Sequence, residues 1–179
     1  MPKPAEFHPD AETIKAFEPA LVWLRNACRE AAGARCPFCT QLVKIYDRTI
    51  NSSMAYVLIL LDRHTKPGES VHVQRFLGAL KLSSAVAASG DYAKLRYWKC
   101  LEQEEARRED GSPRNGYWRI TEVGRKFVRG EIRLPRVAKV FSDRLLRLDD
   151  ETTVSIQESL GRKFRYADLM GAQSSGLAP

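Results

Sequence analysis

The sequence predicts an α+β fold that is mainly helical, and three observations support this prediction. Apolar residues recur at spacings of three and four in several separate segments, which is typical of amphipathic helices. Two strand candidates, CLEQEE and GYWRIT, lie on either side of the charged, turn-rich stretch ARREDGSPRN, which predicts a β-hairpin with a long, mobile tip. Finally, 44% of the 179 residues are hydrophobic, so the chain can bury a substantial core.

Residues 1–34 are predicted to form a loose lead followed by a helix. Asp10 is a suitable N-cap, and Gly33 is the residue type that commonly follows the end of a helix, so we expect the helix to run to about Ala32. A single apolar stripe runs along this helix and consists of Ile14, Phe17, Leu21, Leu24 and Cys28.

Residues 35–130 are predicted to form a cysteine knuckle and the core of the domain. The knuckle is the segment CPFC, and a strand from Leu42 to Tyr46 follows it. Asn51 or Ser52 can cap a second helix, which we expect to run to about His64. After the turn TKPGES, the segment VHV is a short strand or the start of the next helix.

Two more helices are predicted before the hairpin and one after it. Apolar residues from Gln74 onward indicate a helix that Gly90 interrupts, and Asp91 can cap the short helix YAKLRYWK. After the second strand, Thr121 can cap the helix EVGRKFVRGE, where Glu122 suits the positive N-terminal end. Four aromatic residues are expected in the core rather than on a surface that stacks on bases: Trp98, Tyr117, Trp118 and Phe127.

Three helices followed by a two-stranded hairpin and a closing helix is the order of a winged helix-turn-helix domain. In GYWRITEVGRKF the strand leads directly into the helix, which resembles the junction between the wing and the last helix in many bacterial winged-helix proteins. The predicted fold is therefore α+β: a mainly helical winged helix-turn-helix domain with an N-terminal helix, a cysteine knuckle and a small C-terminal hairpin and helix extension.

Residues 131–170 are predicted to form a basic C-terminal extension, and residues 171–179 a disordered tail. The segment AKVFSDRLLRL indicates a small hairpin that turns at Ser142-Asp143. Ser155 and Glu158 have the spacing of a capping box, so we expect one short helix in SIQESLGRKF and another at YADLM.

The chain has a formal net charge of +7 and a pI of about 9.4. Between Arg125 and Arg147 eight Lys or Arg residues stand against two acidic residues. Such an excess favours an acidic partner, most often nucleic acid. No apolar run approaches the ~20 residues that span a bilayer, so no membrane partner is expected. The first ten residues lack the apolar segment of a secretory signal, and four cysteines are too few for a disulfide framework, so we expect a reducing, cytosolic setting.

Positive side chains near the centre of the chain are the candidate nucleic-acid contacts. A recognition helix is expected at YAKLRYWK, where its side chains could contact phosphates and bases in the major groove. Basic side chains at the hairpin tip could reach a minor groove or the backbone, although Glu109 and Asp110 dilute their field. The alternative is a solvated helix face on a scaffold that binds protein. The predicted nucleic-acid-binding residues are Lys94, Arg96, Tyr97, Lys99, Arg107, Arg108 and Arg114.

Cys36 and Cys39 are the candidate metal ligands. Their spacing lets both thiolates bind one ion, and zinc in a structural site takes four ligands. The same pair in a second chain could complete the site, which would make a homodimer. Without a metal the pair is two reduced thiols, and a thioredoxin-like redox role is disfavoured because no βαβ pattern surrounds it. The candidates for further ligands within the chain are Cys28, His8, His64, His72 and Cys100.

Five stretches together resemble a family of small proteins encoded by bacteriophages and prophages: CPFC, KIYDRTINSSMA, KLRYWKCLE, GYWRITEVGRKFV and SLGRKFRYADLM. The resemblance covers roughly residues 35 to 170, and it implies a Cys-Pro-x-Cys knuckle ahead of a winged-helix-like core in a protein of the bacterial host cytoplasm. The family's motifs establish no activity. This chain departs from the pattern at Thr40 and at Lys99, where glycine is usual.

These observations favour a phage-type winged-helix DNA-binding protein, of which a transcriptional regulator is one form. The first alternative is a phage accessory protein that uses the same scaffold to bind a host protein complex and inhibit or redirect it. The second is an RNA or ribosome binder, which would also explain the positive charge. An enzyme is not expected, because the three histidines are scattered and no phosphate-binding Gly-rich loop is present.

Overall fold

A computed structural model describes residues 10–80, 90–104 and 116–171. The chain divides into two compact units. The first unit comprises Met1–Asp47 with Val140–Arg144, and the second comprises Arg48–Lys139 with Leu145–Pro179.

Six α-helices, one 3₁₀ helix and eight strands make up the regular structure of the described residues. The α-helices are α1 (Ala11–Ala27), α2 (Ser52–His64), α3 (Val73–Ala79), α4 (Glu122–Val128), α5 (Ile156–Leu160) and α6 (Tyr166–Gly171), and the 3₁₀ helix is Asp91–Trp98. The strands are β1 (Ala34–Arg35), β2 (Leu42–Val43), β3 (Tyr46–Thr49), β4 (Val71–His72), β5 (Leu101–Gln103), β6 (Tyr117–Ile120), β7 (Leu134–Phe141) and β8 (Arg144–Val154).

Helix α1 begins where the sequence predicts and ends earlier. The side chain of Asp10 accepts a hydrogen bond from the Thr13 amide at 2.7 Å, so Asp10 is the N-cap. The helix stops at Ala27 rather than near Ala32, because the chain then turns and reaches φ +72° at Gly33. A Cβ at Gly33 would lie 2.7 Å from the Val43 carbonyl oxygen, so only glycine allows this close approach.

The cysteine knuckle lies at the tip of a small antiparallel hairpin in the first unit. Strand β1 pairs with β2, with Ala34 opposite Val43 and Arg35 opposite Leu42. The single strand predicted from Leu42 to Tyr46 is wrong, because β2 ends at Val43 and β3 begins at Tyr46.

Helix α2 is the centre of the second unit. Asn51 caps it, and its Oδ1 accepts from the Met54 amide at 2.9 Å, so the first of the two predicted caps is confirmed. Seven α2 residues are buried, and the 3₁₀ helix, α4 and α5 all pack against this helix. A helix that is apolar on most sides is stable only when other elements cover it.

An antiparallel sheet of order β4-β6-β5 covers part of this core. Side chains on β6 alternate between exposed and buried, as expected for a strand with one solvent-exposed face. Trp118 and Ile120 are buried, whereas Tyr117 and Arg119 are exposed. Three of the four aromatic residues predicted for the core, Trp98, Trp118 and Phe127, are therefore buried, and Tyr117 is not.

A second three-stranded sheet has the order β3-β7-β8. The turn between β7 and β8 is at Ser142 and Asp143, as predicted, and both residues have positive φ, 45° and 62°. The hairpin is much longer than predicted. Ser155 and Glu158 form the predicted capping box of α5, with both reciprocal hydrogen bonds present.

The prediction of a mainly helical winged helix-turn-helix domain is wrong. About 44% of the described residues are helical, and the strands form three small sheets. The segment expected to be an α-helical recognition helix is the 3₁₀ helix, whose turn is tighter. Residues 134–154 form two long strands, because buried Ala138 and Val140 alternate along β7 with more exposed neighbours.

Arg125 belongs to the core and not to a basic surface. Its guanidinium is 2.8 Å from the Asp62 carboxylate and 3.0 Å from the Thr65 carbonyl oxygen. The side chains of both Arg125 and Asp62 are less than one tenth exposed. This ion pair joins the end of α2 to α4, so one charge of the predicted basic run is neutralised internally.

None of the described helices combines the length and the apolar character that crossing a bilayer requires.

Candidate functional site

The junction between the 3₁₀ helix and β5 positions the candidate nucleic-acid contacts. The Thr121 hydroxyl donates to the Lys99 carbonyl oxygen at 2.6 Å and accepts from the Gly124 amide at 3.1 Å, so Thr121 caps α4 as predicted and also holds this junction. A Cβ at Gly124 would lie 2.4 Å from the Cys100 carbonyl oxygen. The motif Thr-Glu-Val-Gly thus packs the start of α4 closely against the backbone of Lys99 and Cys100.

An open cavity of about 600 Å³ lies beside strand β5. Three of its side chains are cationic and two are carboxylates, so its wall is strongly polar. The lining residues are Arg96, Lys99, Leu101, Glu102, Gln103, Glu104 and Arg119.

The charges around this cavity are partly compensated. Arg119 donates to the Glu102 carboxylate through two nitrogens, at 2.8 and 3.0 Å. The guanidinium carbon of Arg96 lies 5.0 Å from the centre of the Tyr97 ring, within cation–π distance. Lys99 is exposed, and it forms no ion pair with any residue in the described ranges. Lys99 is therefore the most available cation at the rim.

The structure brings two of the predicted nucleic-acid contacts, Arg96 and Lys99, to one cavity. Lys94 instead pairs with Asp91 on the same 3₁₀ helix. Tyr97 is 4% exposed, so its ring supports Arg96 from within the fold and offers no face to a base. The three arginines of the predicted hairpin tip, Arg107, Arg108 and Arg114, lie outside the described residues.

Arg119 is a lining residue that the sequence reasoning missed. It lies directly opposite Glu102 in the β5–β6 register, on the exposed face between buried Trp118 and Ile120. The alternation of GYWRIT could have placed Arg119 on the outer face of its strand. Arg119 and Lys99 line the same cavity only because β5 pairs with β6, and no local sequence pattern specifies that pairing.

The basic run after Arg125 contributes fewer available charges than its composition indicates. Arg133 pairs with Glu158 at 2.7 Å, and Arg129 lies 3.7 Å from the Asp62 carboxylate. Three exposed residues of this run in the second unit form no ion pair within the described residues: Lys126, Arg136 and Arg147.

The cysteine knuckle has the backbone arrangement of a thiolate site. The Cys36 amide donates to the Gln41 carbonyl oxygen and the Thr40 amide donates to the Cys36 carbonyl oxygen, both at 2.9 Å. Hydrogen bonds from the backbone amides of Cys39 and Phe38 to the Cys36 sulfur lower the pKa of this thiol. Cys39 is exposed and Cys36 is half-buried.

The other ligands proposed from the sequence have different surroundings. The buried Cys28 thiol donates to the Arg25 carbonyl oxygen at 3.3 Å. Burial raises the pKa of the Cys100 thiol to about 12, which opposes metal binding. His72 Nδ1 accepts from the Arg75 amide in the cap of α3, and the His64 ring packs on Phe76. His8 lies outside the described residues, within which no three His, Cys, Asp or Glu side chains form a metal-binding group.

Comparison of the chain with models of protein families, with curated proteins and with solved structures found no match.

Proposed function

We propose that this protein binds nucleic acid, with duplex DNA as the preferred ligand, through contacts to the phosphate backbone. The observation that carries the proposal is the clustering of Arg96, Lys99 and Arg119 around one open cavity. Phosphate groups are contacted mainly by cationic side chains, and Lys99 is exposed and pairs with no carboxylate of the described residues. A transcriptional regulator is one form that this function would take.

The contact we propose does not require an α-helix in the major groove. Arg96 and Lys99 lie at the C-terminal end of the 3₁₀ helix, and Lys99 has left the helical conformation with φ +56°. Side chains at such an end can reach a phosphate strand without inserting the whole segment into a groove. The net charge of +7 supports the same class of ligand, since it favours association with polyanions in general.

A second candidate function is capture of a protein partner, and the same cavity supports it. Glu102 and Glu104 line the cavity, and their carboxylates repel phosphate. Strand β5 is at the edge of the sheet β4-β6-β5, so an extended peptide could pair with it. The mixture of cations and carboxylates would then select a peptide that carries charges of both signs.

Salt dependence of binding distinguishes the two candidates. Anisotropy of a labelled DNA duplex should increase with protein, and the logarithm of the association constant should fall linearly with the logarithm of the salt concentration. A single-stranded RNA of equal length tests the RNA alternative. Stronger binding to that RNA than to the duplex would make RNA the ligand.

The variant Arg96→Ala/Lys99→Ala tests the site itself. It should weaken duplex binding and reduce the magnitude of the salt slope by about two, since each phosphate contact contributes about one. The matched control is Lys66→Ala/Arg75→Ala, which removes the same charge from exposed positions of the same unit that do not line the cavity. The proposal fails if both variants behave alike, or if the protein binds no duplex at physiological salt, and the protein-capture function would then be preferred.

A further inference from the structure

The first unit carries two free cysteines, Cys36 and Cys39, with the spacing of a pair of metal ligands. Cys36 and Cys39 supply two thiols at the tip of the β1–β2 hairpin, and zinc in a structural site takes four ligands. The Cys36 amide donates to the Gln41 carbonyl oxygen and the Thr40 amide donates to the Cys36 carbonyl oxygen, so one hydrogen-bonded turn carries both cysteines. Two more ligands must reach the knuckle for the site to close.

Helix α1, in the same unit, has an apolar face that none of the described residues covers. None of its 17 residues is buried. Ile14 is 53% exposed, Leu21 41% and Val22 49%, and together with Lys15, Glu18 and Arg25 they line a shallow groove of about 270 Å³. An isolated amphipathic helix is marginal in water, so a face of this kind gains stability from a partner.

This face is complementary to itself. In an antiparallel pair of α1 helices centred between Leu21 and Val22, Leu21 of one copy lies opposite Val22 of the other. The same pairing sets Glu18 opposite Arg25, twice, because the symmetry repeats each contact. Both residues are exposed, and neither forms an ion pair within the described part of the chain.

The knuckle is attached to the middle of the same helix. The Phe38 ring, between the two cysteines, packs edge-to-face on the Phe17 ring with their centres 4.8 Å apart. Phe17 is four residues from Leu21, about 6 Å along the helix axis. The two-fold axis crosses between Leu21 and Val22, about 7 Å along the helix from the Phe17 of each copy, so the two Phe17 residues lie about 14 Å apart along the pair and each knuckle must extend toward the axis to share an ion.

We propose that two copies of this chain pair through α1 and share one Zn²⁺ ion bound by Cys36 and Cys39 of each copy. Four thiols and one Zn²⁺ give a tetrathiolate centre of charge −2 and release four protons to the buffer, with no change of oxidation state. The inference stands independently of nucleic-acid binding, since it uses only residues of the first unit.

The test begins with metal-free protein, to which Co²⁺ is added as a spectroscopic probe and then Zn²⁺. Tetrathiolate Co²⁺ gives sulfur-to-metal charge-transfer absorption, which should saturate at one metal per two chains. Light scattering should then give twice the chain mass of 20.3 kDa, and a chelator should reverse both changes. Cys36→Ser and Cys39→Ser should each abolish them, whereas Cys28→Ser, a buried cysteine outside the knuckle, should not.

A second pair of variants tests the helix face. Leu21→Glu should raise the protein concentration needed for the metal-dependent dimer by at least tenfold, because the substitution places a charge in the apolar contact. Trp23→Glu is the matched control, since Trp23 is 52% exposed and points away from the groove. One metal per chain in a monomer, loss of metal in His8→Ala, no metal uptake, or equal effects of the two helix variants would each overturn the proposal.

Discussion

Thr40 and Lys99, two of the four described non-glycine residues with positive φ, occupy backbone conformations that favour glycine. Thr40 has φ +61° and Lys99 has φ +56°. A side chain in this left-handed region costs about 1–2 kcal/mol, and a β-branched side chain such as that of Thr40 is especially unfavourable there.

Thr40→Gly and Lys99→Gly should each increase the free energy of unfolding by about 0.5–1 kcal/mol, since relief of backbone strain exceeds the entropy that glycine adds to the unfolded chain. Urea denaturation followed by circular dichroism measures the change. Gly130→Ala is the reverse control, because Gly130 has φ +75° with open space around it, and it should lose stability. If the glycine variants are less stable than the parent, contacts of the Thr40 and Lys99 side chains stabilise the fold by more than the backbone strain costs.

At the scale of the element, the spacing of apolar residues in the sequence agrees with the geometry of the 3₁₀ helix. Tyr92, Leu95 and Trp98 are three residues apart, and all three are buried. A spacing of exclusively three matches the 3.0 residues per turn of a 3₁₀ helix better than the 3.6 of an α-helix. The prediction of an α-helix did not distinguish these two spacings. The Trp98 indole N–H donates a hydrogen bond to the Pro135 carbonyl oxygen at 2.7 Å, which holds the end of the 3₁₀ helix against β7.

Helix α5 should show a pH-dependent stability that originates in its capping box. The Ser155 backbone amide, then its hydroxyl, and then Arg133 lower the pKa of Glu158 below its usual value of 4.5. Because the folded pKa is the lower one, the ionised carboxylate stabilises the fold. This contribution is complete above pH 4.5 and is lost as the pH falls through the folded pKa.

Glu158→Gln tests this dependence, since glutamine retains an acceptor for the cap but does not ionise. The variant should be less stable than the parent at neutral pH, and the difference should shrink in acid, as urea midpoints at several pH values would show. Glu131→Gln is a suitable control, because Glu131 is exposed and forms no side-chain hydrogen bond within the described residues. A difference that stays constant with pH would contradict the assigned cause.

At the scale of the whole molecule, the two units differ in how much they bury. The second unit contains a continuous apolar core in which Leu58, Leu77 and Phe127 are fully buried. In the first unit, α1 has no buried residue. Local stability is therefore unequal along the chain. Binding of a partner would increase the stability of the first unit more than that of the second.

Hydrogen exchange should show this inequality directly. In metal-free protein at low concentration, α1 amides should exchange much faster than those of α2, because α1 can open without exposing a core. Addition of Zn²⁺ should slow exchange in α1 and in the knuckle while leaving α2 unchanged, with chelator-treated protein as the control. Equal protection of α1 and α2 without metal would mean that α1 is already packed.

The sequence by itself determined where four of the helices begin, because each cap acts across three residues, whereas the predicted cap Asp91 is the first residue of the 3₁₀ helix and Gly90 precedes it as N-cap. Asp10, Asn51, Thr121 and Ser155 all cap the helices that the sequence assigned to them. Only the tertiary structure decided which charged side chains are buried in ion pairs and which line the cavity. Arg125 is buried because Asp62, 63 residues earlier, neutralises it, and Arg119 reaches the cavity of Lys99 because two strands pair. Caps are local and appear in a short pattern, whereas burial and charge pairing join distant segments, so composition alone could not separate the structural arginine from the lysine available to a ligand.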